Sequence, residues 1–174
     1  MGMQKITAVL SKDISEKNYP EATENIPCMK VTFHQTYELP CSTTLYTLHS
    51  TDAGVAFLLQ NPEGTLYHAG DLNDWAWDGE PEQDNRQMTG SYRHEIDLLA
   101  GYQKDYLNNL PIDTAFIPLD PRQEVYYAGG MLYFLKKIRV SNVYPMHFWD
   151  QPEIIDQFLK EHPEYTYLIK TICN

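Results

Sequence analysis

Apolar and polar residues alternate through much of the first half of the chain, whereas later apolar positions recur every three or four residues. The first 30 residues are mixed: "KITAVL" has the composition of a short strand, and "SKDISEKNYPEATENIP" is polar, proline-containing and loop-like. From about Met29, "MKVTFHQTYEL" and "TTLYTLHS" carry β-rich alternation. "GVAFLLQNPEGTLYHAGD" predicts a hairpin turning at Asn61-Pro62-Glu63-Gly64. From about Ser91 to Leu110, Ile96, Leu99, Tyr106 and Leu110, flanked by Leu98 and Tyr102, fit one face of a helix that Pro111 ends. "DTAFIPLD" follows as a buried strand. Val125, Ala128, Leu132, Leu135 and Ile138 then predict a second helix containing Gly129 and Gly130. After the strand "VSNVYPMHF" comes a third helix, with Asp150 or Gln151 as cap and Ile154, Ile155, Phe158 and Leu159 as its buried stripe. "YTYLIKTIC" is expected to close the chain as a strand.

Strands followed by alternating helices and strands indicate an α/β, or α+β layered, domain with helices over a sheet. Three helices are too few for both faces of a large sheet, which leaves one surface free for something else. At 174 residues and 43% hydrophobic composition, residues 1–174 are expected to form a single domain. The net charge of −11 argues against a nucleic-acid partner, because phosphate binding depends on clustered Lys and Arg. No apolar run is long enough for a membrane span, and the N-terminus lacks a signal-peptide pattern, so a cytoplasmic protein without a membrane partner is expected. Cys28, Cys41 and Cys173 show no CxxC spacing, which favours neither a disulfide framework nor a thiolate metal site.

Three strand ends carry a possible metal ligand: His49 in "TLHSTDAG", Asp71 in "YHAGDLND" and His147 in "YPMHFWD". Imidazole nitrogens and a carboxylate oxygen are the donors expected for zinc or a similar divalent ion, and a carboxylate can bridge two ions. Such ions lower the pKa of bound water and polarise a scissile oxygen. Singly, each residue is as well explained as a structural histidine or a turn acid. Asp74 and Asn73 are equally suited to capping backbone, and Trp75 and Trp77 to a core or a substrate wall. Arg122 in "DPRQ" suits either an anionic substrate or a neighbouring acid. Neither a nucleophile elbow around Ser50 nor a phosphate loop around Gly129-Gly130 is present.

In order and strand context, "HSTDAGVAFLL", "TLYHAGDLNDW", "DTAFIPLDPR" with its Gly-Gly helix, and "VYPMHFW" resemble the later two-thirds of a metallo-β-lactamase-fold metal-dependent hydrolase, from about Lys5 onward. The resemblance implies a partial αββα sandwich of mixed sheets with helices outside. It also implies His49, Asp71 and His147 as metal ligands, with Asp71 bridging and catalytic, and Asp74, Trp75 and Arg122 beside the substrate. The implied cofactor is zinc, or manganese or iron in its place, activating water against an ester, lactone or phosphodiester in a small-molecule substrate. The family's His-x-His-x-Asp-His string is absent: His34, His68, His94 and His162 form no such pair. Two readings therefore stand: a metal-dependent hydrolase-like protein or a fragment of one, its site incomplete and His49, Asp71 and His147 its residual ligands, and a non-catalytic truncated paralogue that acts by self-association. Strands missing from the sandwich imply an exposed edge or face, and hence a homodimer or larger homo-oligomer.

Overall fold

In the computed structural model, residues 6–15 and 26–171 are described. Among the described residues, eight strands and three α-helices follow one another as β1 (Ala8–Ser11), β2 (Cys28–Val31), β3 (Thr36–Leu39), β4 (Thr43–His49), β5 (Val55–Asn61), β6 (Gly64–His68), α1 (Glu82–Asp105), β7 (Ile112–Pro118), α2 (Gly129–Lys137), β8 (Val140–Met146) and α3 (Glu153–Glu161). Strands β3 to β8 form one six-stranded sheet in sequence order. It is antiparallel from β3 to β6 and parallel from β6 to β8, because α1 and α2 are the crossovers that parallel neighbours require. β1 and β2 pair in parallel as a separate two-stranded sheet.

The pairing register gives the large sheet two contrasting faces. One row runs Tyr46, Leu58, Tyr67, Ala115 and Val143, and all of these are buried in one core with Ile96 and Leu99 of α1, Met131 and Phe134 of α2, and Ile155 and Phe158 of α3. The adjacent row, Thr47, Phe57, His68, Phe116 and Tyr144, points the other way, as side-chain alternation requires. There β1 and β2 cover only the β3–β5 end, through a small cluster of Val31, Leu45 and Val55. Leu66 and His68 are exposed and Phe116 and Tyr144 half-buried, so the expectation that the helices leave one sheet surface free holds.

Several boundaries move. The strand expected through "MKVTFHQTYEL" is two strands, because the buried Thr47 hydroxyl donates to the Thr32 carbonyl at 2.7 Å and accepts from the Gln35 N–H at 3.1 Å, while His34 turns the chain at φ 54°. α1 starts at Glu82 rather than near Ser91; its first two turns are almost wholly polar and exposed, so they carry no apolar period. It ends at Asp105, before Pro111 is reached. The helix expected from Val125 to Ile138 splits into a 3₁₀ segment, Pro121–Tyr126, and α2. Glu124 breaks it with φ 51°, Val125 is 77% exposed, and Gly129-Gly130 open the helix instead of lying within it. α3 begins after Pro152. "YTYLIKTIC" forms no strand in its described part: a 3₁₀ turn at Pro163–Tyr165 leads to a single bridge, Ile169 to Val143. Cys173 and Lys5 lie outside the described residues; Cys28 and Cys41 are free and exposed.

Candidate functional site

At the carboxyl ends of parallel strands β6 and β8 the chain makes two sharp turns. After β6, Ala69–Leu72 closes a tight turn, with the Leu72 N–H donating to the Ala69 carbonyl at 3.0 Å. Gly70 takes φ 56° there, and a Cβ on it would sit 3.0 Å from the Val55 carbonyl oxygen, so both conformation and space favour glycine. The turn lifts Asp71 beyond the sheet rim. After β8, His147 and Trp149 both adopt left-handed backbone, φ 62° and 52°, which is costly for such side chains and common where a site fixes them. His147 Nε2 meets Asp71 Oδ1 at 3.1 Å.

This pair lies in a cleft of about 420 Å³ lined by Thr51, Asp52, Trp75, Trp77, Met88, Arg122 and Trp149. The Trp75 indole N–H donates to the Asp71 carbonyl at 2.8 Å, and its ring stacks with Trp77 at 6.1 Å between centroids. Arg122 forms a bidentate pair with the fully buried Asp120, and its guanidinium carbon lies 4.5 Å over the Trp149 ring. Burial opposes charge on Asp120, but the Arg122 guanidinium and backbone N–H and the Trp149 indole N–H hold its carboxyl below the ordinary carboxylate value.

The loop between Asp71 and Trp77 is fixed from behind by Gln123, which is 1% exposed. Its side-chain amide donates to the carbonyls of Asp74 at 2.7 Å and Ala76 at 3.0 Å, and its oxygen accepts from Asn73 Nδ2 at 2.8 Å. Asn85 of α1 pairs its side-chain amide with the backbone N–H and carbonyl of Trp77.

The residues expected from the sequence are distributed as follows. Asp71, His147, Trp75 and Arg122 come together in the cleft. Asp74 turns inward: it is buried, accepts from the Thr89 hydroxyl at 2.8 Å, and has its carboxyl pushed up by burial, which Thr89 and Arg93 partly offset. His49 lines a different depression with Asp84, His94 and Glu95, and its ring packs on Phe33 at 4.3 Å. Its backbone N–H donates to the buried Glu95, which also bonds His34 Nε2 at 2.9 Å. Thr51, Asp52 and Trp149 line the cleft as well, brought there by loops distant in sequence, and Trp77 takes the wall position that its sequence allowed. His68 is close enough to His147 and Asp71 to feel both charges, with burial the main cause of its lowered pKa. Its Nδ1 accepts from the Gly70 N–H at 3.0 Å, which leaves the proton of the neutral ring on Nε2.

A zinc-type site takes at least three protein donors. Among the described residues no group of three or more His, Cys, Asp or Glu side chains is placed to hold an ion. Asp71 and His147 are bonded to each other, and neither nitrogen of His68 offers a free lone pair, so the donors present do not fit a metal centre. What the geometry does provide is a carboxylate–imidazole pair. With Asp71 accepting from Nε2–H, Nδ1 becomes the basic atom of His147.

No family model and no curated protein matches the chain. Among solved structures, a variant of the CmlA β-hydroxylase superposes with a TM-score of 0.51 at 10% identity, covering 84% of this chain and 32% of that one. A putative zinc-dependent hydrolase of the metallo-β-lactamase superfamily from Thermotoga maritima gives 0.44 at 13%, covering 89% of this chain and 69% of that one. The metallo-β-lactamase fold protein YhfI from Bacillus subtilis gives 0.47 at 9%, covering 95% and 63%. The chain thus spans about a third of the first protein's length and about two-thirds of the other two. At these identities the likeness concerns the fold alone: the chain shares its α/β architecture, a mixed six-stranded sheet with helices, with part of the CmlA β-hydroxylase.

Proposed function

We propose that this chain is a hydrolase-like protein of the metallo-β-lactamase superfamily whose Asp71–His147 cleft binds a small molecule. Metal-activated hydrolysis of an ester, lactone or phosphodiester would need donors beyond its described residues. The observation that supports this reading is the Asp71–His147 pair itself, held at the carboxyl ends of two parallel strands by left-handed backbone at Gly70 and His147. Ligands of open α/β sheets bind at such ends. Asp71 fixes the imidazole, Trp75 and Trp149 wall the cleft, and Arg122, neutralised by Asp120, positions Trp149. On this reading, chain purified without chelator carries less than about a tenth of an equivalent of zinc, manganese or iron, because two mutually bonded donors hold an ion weakly. Near-stoichiometric metal that disappears in Asp71→Ala would overturn it and establish a working metal centre.

A second reading, self-association as a homodimer or larger, draws support from the uncovered sheet face. Its uncovered rows His68, Phe116, Tyr144 and Leu66, Thr114, Asn142 contain no carboxylate, although the chain carries a net charge of −11. Two copies can therefore meet there without opposing like charges. Sedimentation at micromolar concentration should give a dimer or larger species, and Phe116→Asp should convert it to monomer; a clean monomer for the unaltered chain rejects self-association.

A further inference from the structure

All three tryptophans of the chain, Trp75, Trp77 and Trp149, line the one cleft beside Asp71 and His147. Trp149 is 59% exposed, an unusual position for an indole, yet it is held there on left-handed backbone. One cation already uses it: the Arg122 guanidinium sits 4.5 Å over its ring. The charge of that arginine is balanced within the protein by Asp120, so it offers little to an incoming anion. The remaining ionic groups facing the cleft are two carboxylates, Asp52 and Asp71, against the one imidazole of His147, a balance that is negative in either state of that ring. Indole faces next to a net negative charge attract a weakly hydrated cation, through the ring quadrupole and through Coulomb attraction in a partly desolvated setting. The same arrangement repels phosphate and carboxylate ligands.

We propose that this cleft recognises an organic cation, an alkylated ammonium head group of a size that a volume of about 420 Å³ admits. The proposal rests on the cleft being the binding site assigned above, and on no metal. Because every tryptophan lies in the cleft, intrinsic emission reports on it directly. The full chain, in buffer with EDTA and at constant ionic strength, is titrated with choline chloride. Parallel titrations use its neutral isostere 3,3-dimethyl-1-butanol, dimethyl phosphate as the anion and methyl glucoside as a neutral sugar. A saturable change with choline is expected, at least about ten-fold tighter than with the isostere, and weakened about ten-fold in Trp149→Leu and in Asp71→Asn. Dimethyl phosphate or the glucoside binding more tightly than choline, or choline giving no saturable change, overturns the proposal. EDTA keeps the two questions separate: stoichiometric metal without a choline response refutes the cation alone, and a choline response in metal-binding protein refutes only the incomplete-site reading.

Discussion

Gln123→Ala is expected to lower the melting temperature by about 10 °C, through a loss of about 3–5 kcal/mol. The side chain is 1% exposed and makes three hydrogen bonds, two to carbonyls of the loop carrying Trp75 and Trp77 and one to Asn73. Truncation removes all three and leaves the buried carbonyls of Asp74 and Ala76 and the Asn73 amide without this partner. Each such orphan costs about 1–3 kcal/mol, more than the side-chain freedom regained. Gln123→Glu discriminates the cause. It keeps an acceptor for Asn73 but has no amide to donate to the two carbonyls, so it should be nearly as damaging. The tryptophan emission of the folded state should move to the red in both variants, because the loop they loosen walls the cleft. A melting temperature within about 2 °C of the original would show that the loop is held by other contacts, with Asn85 on Trp77 as the next candidate.

The second large effect is a pair of opposite sign at neighbouring glycines. A Cβ on Gly130 would lie 2.0 Å from Asn73 Oδ1 and 3.2 Å from the Asp74 nitrogen. Asn73 has little freedom to yield: its side-chain nitrogen is bonded to Gln123, and its backbone N–H and carbonyl both meet the Thr51 hydroxyl, at 3.1 and 2.6 Å. Gly130→Ala is therefore expected to destabilise by about 1–3 kcal/mol, an overpacking cost that exceeds the gain in helix propensity. At Gly129 the added methyl would meet only Asp74 Oδ2 at 3.8 Å, an ordinary contact. Gly129→Ala should stabilise by up to about 1 kcal/mol at this first helical residue, where the full interior gain is not realised. Urea midpoints of the two variants measure the contrast. Equal midpoints would mean that the loop and the start of α2 are not packed as described.

The close approach at Gly130 shows where sequence patterning stops. Val125, Ala128 and Leu132 suggest a helical period straight through the two glycines, because spacing records only which positions are apolar. Glu124 breaks that helix with φ 51°, and α2 then starts against Asn73, a residue 57 positions earlier that no local window contains. The start of α1 was hidden for the opposite reason: a helix whose first turns face solvent needs no apolar stripe there. The strands were more legible. Their inward rows, such as Leu58 opposite Tyr67, and the hairpin turn at Asn61–Gly64 follow from alternation and local turn chemistry.

For the site, the sequence by itself determined that Asp71 and His147 lie just beyond the ends of their strands, because a strand's apolar run and the turn after it are local features. It also determined that the His-x-His-x-Asp-His string is missing. Only the tertiary structure decided which of the candidates meet. It joins Asp71 to His147 across β7, turns Asp74 inward to Thr89, and places His49 against Phe33 and the Glu95 backbone bond. Side-chain direction at a strand end depends on the backbone torsions of the following turn and on neighbours from distant segments. Those torsions, at Gly70, His147 and Trp149, are fixed by packing and not by the identity of the residues alone.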